Sequence, residues 1–140
     1  MKKLLVLIIG LFVLFSCETP LAKEKVESTY DNGQPKMVSY VQQIDGKEEV
    51  VEQQFYFKNG QLKMEGKISK DKRDGLWKAY FEDGTLQSEG EFKEGLRTGL
   101  AKVYHPNGKL MYEGQYKDDE EVGLWKFYNE EGKLVKEKDF

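Results

Sequence analysis

Few residues of this chain have the types and spacing that catalysis or metal binding needs. His105 is the only histidine and Cys17 the only cysteine, so an active site or a metal site would have to be built from carboxylates. The run Asp118–Glu121 offers acidic side chains, but it lacks the glycine and the alternating spacing of a dedicated calcium loop. We interpret the run as a solvated connection and His105 as a structural turn residue. We therefore expect no catalytic residues, no bound metal and no cofactor.

Lipid attachment at Cys17 is the one covalent chemistry that the sequence favours. Two lysines precede an apolar run at residues 4–15, and a basic start followed by an apolar core is typical of a secretory signal. The run is shorter than the roughly 20 residues that span a bilayer. Leu14 and Ser16 before Cys17 resemble a bacterial lipobox, in which a leucine and a small residue direct lipid attachment and cleavage.

These features predict that residues 1–16 are a lipoprotein signal peptide and that Cys17 is the lipidation site. The protein would then be exported and lipid-anchored to a membrane of the bacterial cell envelope. A plain secretory signal or an uncleaved N-terminal anchor is the alternative. Residues 17–28 are polar and predict a flexible tether. The chain has 22 Lys and Arg against 25 Asp and Glu, and this acidic balance argues against nucleic acid as a partner.

Steps of 24 residues relate the remaining candidate residues to one another. The rows are Tyr56, Tyr80, Tyr104 and Tyr128; Gly60, Gly84, Gly108 and Gly132; and Glu65, Glu89, Glu113 and Glu137. A fixed period of this length indicates an array of supersecondary units. Aromatic and β-branched residues alternate with polar ones between Asn-Gly and Asp-Gly pairs, which predicts strands joined by hairpin turns.

The predicted fold is all-β, an elongated single-layer array of antiparallel β-hairpins. Residues 54–140 are predicted to hold four repeats, the last of them atypical, and residues 29–53 a degenerate N-terminal hairpin repeat. Asp83-Gly84 is predicted to form a two-residue type I′ turn. This register pairs Phe81 with Leu86, Ala79 with Ser88, Lys78 with Glu89, and Trp77 with Gly90. We expect the lysine and glutamate to form a cross-strand ion pair in each hairpin, and the tryptophan ring to cover the glycine.

The tyrosine row lies on the more polar of the two predicted faces, because side chains alternate along each strand. Exposed aromatic rows on a repeat surface suit peptide or sugar binding. Tyr56, Tyr80, Tyr104 and Tyr128 are therefore the candidate partner-binding residues. The alternative is that they stack to bury a hydrophobic spine, which is the interpretation we favour for the tryptophans of the apolar face.

The repeating unit resembles the variant class of the MORN repeat. The motif runs Gly75-Leu-Trp-Lys-x-Tyr, then Gly84, Leu86, Glu89-Gly90 and Phe92, and it recurs from Gly99 and from Gly123. The resemblance covers residues 54–140 well and 29–53 weakly. It departs at Ala101, where tryptophan is expected, at His105-Pro106, and at Lys138, where glycine is expected. The resemblance implies a single-layer array of β-hairpins and a protein-binding role. Many bacterial members are described as YwqK-type antitoxin components of toxin–antitoxin systems.

Together these observations predict a non-enzymatic envelope lipoprotein that acts as a protein-interaction module through its repeat β-sheet surface. One alternative is a carbohydrate or cell-wall binding module that uses the aromatic rows. Another is an antitoxin-like component of a toxin–antitoxin pair. The expected partner is accordingly an unknown protein or an envelope glycan, with the membrane reached through the lipid on Cys17.

Overall fold

One open antiparallel sheet makes up the described part of the chain. A computed structural model describes residues 21–140; the predicted signal peptide and Cys17 lie outside the described residues. The strands are β1 (Lys23–Thr29), β2 (Pro35–Ile44), β3 (Lys47–Tyr56), β4 (Leu62–Ser69), β5 (Lys72–Tyr80), β6 (Leu86–Lys93), β7 (Leu96–Tyr104), β8 (Leu110–Lys117), β9 (Glu120–Tyr128) and β10 (Leu134–Asp139). Each strand pairs with its neighbours in sequence, which confirms the predicted all-β hairpin array. Residues 21–140 contain no helix long and apolar enough to cross a membrane.

The first strand differs from the predicted flexible tether. β1 pairs antiparallel with β2 and places Val26 opposite Val38, so the tether prediction is wrong for residues 23–28. All of its residues are exposed, and the sequence therefore shows no burial pattern there. Backbone hydrogen bonding to the edge of β2 explains the strand, because an open sheet edge presents unpaired amide and carbonyl groups. The pairing helps to bury Val38 and Ser39.

At one end of the sheet the strands are connected by three-residue loops, each closed by a hydrogen-bonded pair of residues just beyond the strand ends. In the loop after β5, the Gly84 amide donates to the Phe81 carbonyl at 2.9 Å, and the Phe81 amide donates to the Thr85 carbonyl at 2.8 Å. Gly84 has a φ of 86°, whereas Asp83 does not take a positive φ. This is a type I turn followed by a left-handed glycine, and the predicted two-residue type I′ turn is wrong here.

The longer loop changes one of the four predicted pairs. Tyr80, and not Phe81, lies opposite Leu86, because β6 is bulged at Gln87, which has no partner between Ser88 and Leu86. The other three pairs are confirmed: Ala79 with Ser88, Lys78 with Glu89, and Trp77 with Gly90. Asp83 favours the longer loop, since its Oδ1 accepts the Thr85 amide at 2.9 Å, an Asx turn of the kind that holds such loops.

Two-residue turns connect the strands at the other end of the sheet. Asp118 and Asp119 have φ values of 52° and 71°, and Lys117 pairs with Glu120 across them. Positive φ at both central residues defines a type I′ turn, whose twist matches the flanking strands. The equivalent turns are Asp45-Gly46, Lys70-Asp71 and Glu94-Gly95. The acidic run at 118–121 thus contains an exposed turn and the beginning of β9.

The two faces of the sheet carry different side chains. We call the face with Leu76, Lys78, Tyr80 and Glu89 the ladder face, and the face with Trp77, Ala79, Ser88 and Gly90 the tryptophan face. On the tryptophan face, Trp77 and Trp125 are 3% and 2% exposed. The Trp77 ring lies over Gly66 of β4, where an added methyl group would lie 2.3 Å from Cδ2. The prediction that the Trp77 ring covers Gly90 is therefore wrong, because the ring points toward β4 instead of β6.

Candidate functional site

The tyrosine row of the ladder face is bonded to the glutamate row of the preceding repeat. Tyr80 Oη donates to Glu65 Oε1 at 2.7 Å, and Tyr104 Oη donates to Glu89 Oε1 at 2.9 Å. The last bond of the row runs from Tyr128 to Glu113 at 3.1 Å. The tyrosines and glutamates are half-buried. These bonds join β5 to β4, β7 to β6 and β9 to β8, so they hold successive repeats together.

The first tyrosine of the row takes a different partner. Tyr56 Oη donates to Gln54 Oε1 at 2.5 Å, and Tyr40 Oη donates to the same oxygen at 3.1 Å. The Gln54 amide nitrogen in turn lies 3.3 Å from Glu65 Oε2. Gln54 occupies the row that holds lysine in the later repeats. The row of hydrogen bonds on the ladder face therefore continues into the N-terminal strands through the Gln54 side-chain amide, which can accept and donate at once.

Burial and the neighbouring carboxylates keep the tyrosine hydroxyls protonated. Burial, followed by the hydrogen bond to Glu65, raises the pKa of Tyr80 to about 12. The same two causes, with Glu89 as the acceptor, raise the pKa of Tyr104 to about 12. Burial also raises the pKa of Tyr56 and of Tyr128. All four hydroxyls act as hydrogen-bond donors at neutral pH, and none is available as a base or a nucleophile.

The predicted lysine–glutamate ion pairs do not form within the hairpins. In residues 21–140 no lysine comes within 4.0 Å of the glutamate it opposes in its own hairpin. The ion pair observed on the ladder face instead joins two repeats: Lys102 Nζ lies 4.0 Å from Glu89 Oε1 of the preceding repeat. The register was predicted correctly, since Lys102 lies opposite Glu113. Glu89 and Glu113 instead accept from the hydroxyls of Tyr104 and Tyr128, which reach them from the following repeat.

A row of exposed leucines lies beside the glutamates on the ladder face. Leu76, Leu100 and Leu124 are 46%, 43% and 51% exposed. A depression of about 160 Å³ lies between Leu76 and Leu100, with Glu89 and Lys102 among its lining residues. One of about 340 Å³ lies between Leu100 and Leu124. This row was not among the predicted site residues, although its 24-residue spacing and its place on a polar face could have indicated it.

The residues considered for catalysis or metal binding have structural partners. His105 Nε2 lies 3.0 Å from the Tyr128 carbonyl oxygen, so that nitrogen carries the proton and donates. Asp119 accepts from Arg97 Nε at 3.0 Å. The Arg97 amide and guanidinium both donate to this carboxylate and lower the pKa of Asp119. The described residues hold no cluster of three or more His, Cys, Asp or Glu side chains that could bind a metal ion.

An open sheet whose contacts recur from hairpin to hairpin defines a β-hairpin repeat protein. The chain belongs to the MORN repeat variant family, whose model matches residues 49–68, 73–94, 97–118 and 121–140. Each matched repeat covers a hairpin, from β3–β4 to β9–β10, and the first begins inside the segment predicted to be degenerate. Repeats of this family are non-catalytic and commonly mediate interaction with proteins or membranes. No curated protein matches the sequence.

Proposed function

We propose that the protein is a non-enzymatic interaction module that binds a protein partner through the ladder face. The leucine row is the observation that carries this proposal. Three large apolar side chains stay about half exposed in a regular line, with one strand between successive members, so that two strand spacings separate them. At about 4.8 Å per strand, successive leucines lie roughly 10 Å apart. Contiguous exposed apolar groups rimmed by polar ones are typical of protein interaction sites.

The surroundings of the row favour a peptide-like partner with apolar side chains at matching intervals. The depressions between the leucines can receive such side chains. The walls carry both signs of charge, as with Glu89 and Lys102 beside the Leu76–Leu100 depression. Charged groups at the rim of an interface set orientation and association rate more than affinity. The four candidate tyrosines lie on the same face, but their hydroxyls are already bonded, three to glutamates and that of Tyr56 to Gln54.

We further propose that the module is exported and held at the bacterial envelope by lipid on Cys17. The support is the sequence alone: a basic start, a short apolar run and a single cysteine behind a small residue. One lipidated cysteine carrying several acyl chains gives stable membrane attachment. Cys17→Ser should move the protein from the membrane fraction to the soluble fraction. A variant that stays membrane-bound would contradict lipidation at this residue.

Affinity capture from envelope membranes tests the ladder face. Leu76→Ser with Leu100→Ser should abolish recovery of the partner and leave circular dichroism and Tm nearly unchanged, because both side chains are largely exposed. Val135→Ser is the matched control, since Val135 is 60% exposed but lies outside the row. Equal capture by the double variant and the control would refute this site. Retention on purified peptidoglycan in place of a protein would assign the carbohydrate-binding function instead.

A further inference from the structure

The tryptophan face has a gap where its repeating row of indole rings is interrupted. Trp77 and Trp125 occupy the row at an interval of 48 residues, and Ala101 stands between them. Gly66 and Gly114 are each covered by an indole: added methyl groups there would lie 2.3 Å from Trp77 and 2.1 Å from Trp125. A methyl group at the equivalent Gly90 would meet only the Ala101 methyl, at 3.7 Å. One indole-sized position in the row is therefore empty.

The gap is an open slot of about 210 Å³ with a floor of small side chains. The floor consists of Ala79, Ser88, Gly90 and Ala101, and the walls carry Trp77, Phe92, Tyr112 and Tyr116. The slot is larger than the apolar cavity of about 150 Å³ that is known to take up benzene. It also divides the aromatic contacts into two clusters, one around Trp77 and one around Trp125. A planar aromatic group of the right size would reconnect them.

Two arginines stand over the aromatic walls of the slot. Arg73 Cζ lies 4.3 Å from the Trp77 ring centroid and 5.2 Å from that of Phe92. Arg97 Cζ lies 4.1 Å from the Tyr116 centroid. The positive charge of Arg97 is already paired with the carboxylate of Asp119. Arg73 has no carboxylate within 4.0 Å among residues 21–140, and its Nη2 donates only to the Met64 sulfur, at 3.8 Å.

We infer that this slot binds an aromatic side chain of a partner polypeptide that carries a carboxylate beside it. The ring occupies the missing indole position over Gly90, where it contacts the walls as Trp77 and Trp125 contact theirs. The carboxylate pairs with Arg73, whose guanidinium is planar and matches a carboxylate bidentately. Aromatic side chains seated in pockets, with a charge pair at the rim, are the usual anchors of protein interfaces. The slot lies on the face opposite the leucine row, so the inference does not depend on the proposed function.

A peptide probe tests the slot directly. The protein expressed from the full-length sequence is purified from membranes, placed in lipid nanodiscs and titrated into a synthetic peptide with fluorotryptophan between two glutamates in a glycine–serine context. Fluorine NMR line broadening reports binding. Ala101→Trp should abolish saturable binding while keeping or raising Tm, because it fills the slot and joins the two aromatic clusters. Ala101→Leu, a smaller filler, should weaken binding at least several-fold.

The arginines supply the matched comparison. Arg73→Gln should weaken binding about tenfold, which corresponds to about 1.4 kcal/mol. Arg97→Gln should have a smaller effect, since that charge already has a carboxylate partner. A peptide with lysines in place of the glutamates should bind at least about tenfold more weakly, because two cations would meet.

Several results would overturn the inference. Undiminished binding to Ala101→Trp, or equal binding of the glutamate and lysine peptides, would show that the slot does not recognise this chemistry. Preferential binding of a chitin oligosaccharide would assign the slot to sugars. The Leu76→Ser, Leu100→Ser variant should bind the peptide normally, so failure of the slot and failure of the ladder-face proposal are distinguishable.

Discussion

The Tyr80 hydroxyl donates a hydrogen bond to Glu65 Oε1 at 2.7 Å and so joins two consecutive repeats. Tyr104 and Glu89 do the same one repeat later. Hairpins in a single layer have few other neighbours, because each contacts only the next one along the chain. The hydroxyls of this row are therefore structural, while the rings remain available as part of a surface. Replacing the hydroxyl and replacing the ring should have different consequences.

Tyr80→Phe with Tyr104→Phe should lower the free energy of unfolding by about 1 kcal/mol per hydroxyl, because each loses a hydrogen bond to a half-buried carboxylate. Partner capture should be unchanged, since the rings remain. Urea unfolding at pH 7 measures the loss. Tyr112→Phe is the control, because its hydroxyl makes no hydrogen bond to the described residues. A double variant as stable as the control would show that the ladder bonds contribute nothing.

The same two tyrosines predict a loss of stability at alkaline pH. Their pKa values are raised from 10.0 to about 12 in the folded protein, so the neutral form is the one that folding favours. This contribution is fully present below pH 10 and is lost as the pH rises from 10 through 12. The stability difference between wild type and the double phenylalanine variant should thus shrink over this range. Unfolding midpoints at pH 8, 10, 11 and 12 measure it, and a constant difference would contradict the assignment.

Two glycines in equivalent positions should respond differently to the same substitution. Gly66→Ala places a methyl group 2.3 Å from the Trp77 ring, so the indole must move, and overpacking of this kind costs about 1–3 kcal/mol. Gly90→Ala places its methyl 3.7 Å from that of Ala101, which is ordinary contact, and should change stability by less than about 0.5 kcal/mol. Thermal unfolding compares the pair. Equal losses would mean that the indole does not lie over Gly66.

Periodicity predicted the strands and most of the register, because a hairpin array repeats the same pairs at a fixed interval. It could not fix the turns, since an Asp-Gly pair suits both a two-residue type I′ turn and a three-residue loop ending in a left-handed glycine. The Asp83 side chain decides between them through its bond to the Thr85 amide. β1 was not predicted for another reason. It buries no side chain, and it is a strand because its backbone pairs with β2.

Side-chain direction was the other part that register could not supply. Trp77 lies opposite Gly66 in one adjacent strand and opposite Gly90 in the other. The side-chain torsion angles of Trp77 determine which of the two glycines the ring covers. Lys78 lies opposite Glu89 as predicted, yet the carboxylate turns toward Tyr104 of the next repeat. The common period of the tyrosine and glutamate rows could have indicated this pairing. In the sequence, the slot at Ala101 was visible only as a departure from the repeat. The position of the two arginines over its aromatic walls could not be predicted, because it depends on side-chain direction.

A row of turn asparagines links consecutive repeats and is broken at one position. Asn59 and Asn107 each donate through Nδ2 to a carbonyl of the next turn, at Glu82 and Glu130, at 3.4 and 2.9 Å. Asp83 stands in the same row and cannot donate. Asn107→Asp should therefore lower stability by about 1 kcal/mol, because the bond is lost and a carboxylate faces a carbonyl oxygen.

The reverse change, Asp83→Asn, should raise Tm. It restores a donor facing the Pro106 carbonyl, the counterpart of Glu82 one repeat later, and its Oδ1 can still accept the Thr85 amide. Asn129→Asp is the control, because Asn129 uses only its Oδ1, which accepts the Lys133 amide at 2.9 Å. Thermal unfolding followed by circular dichroism ranks the three variants. An Asn107→Asp variant as stable as the control, or an Asp83→Asn variant less stable than wild type, would show that the turn row does not hold the repeats together.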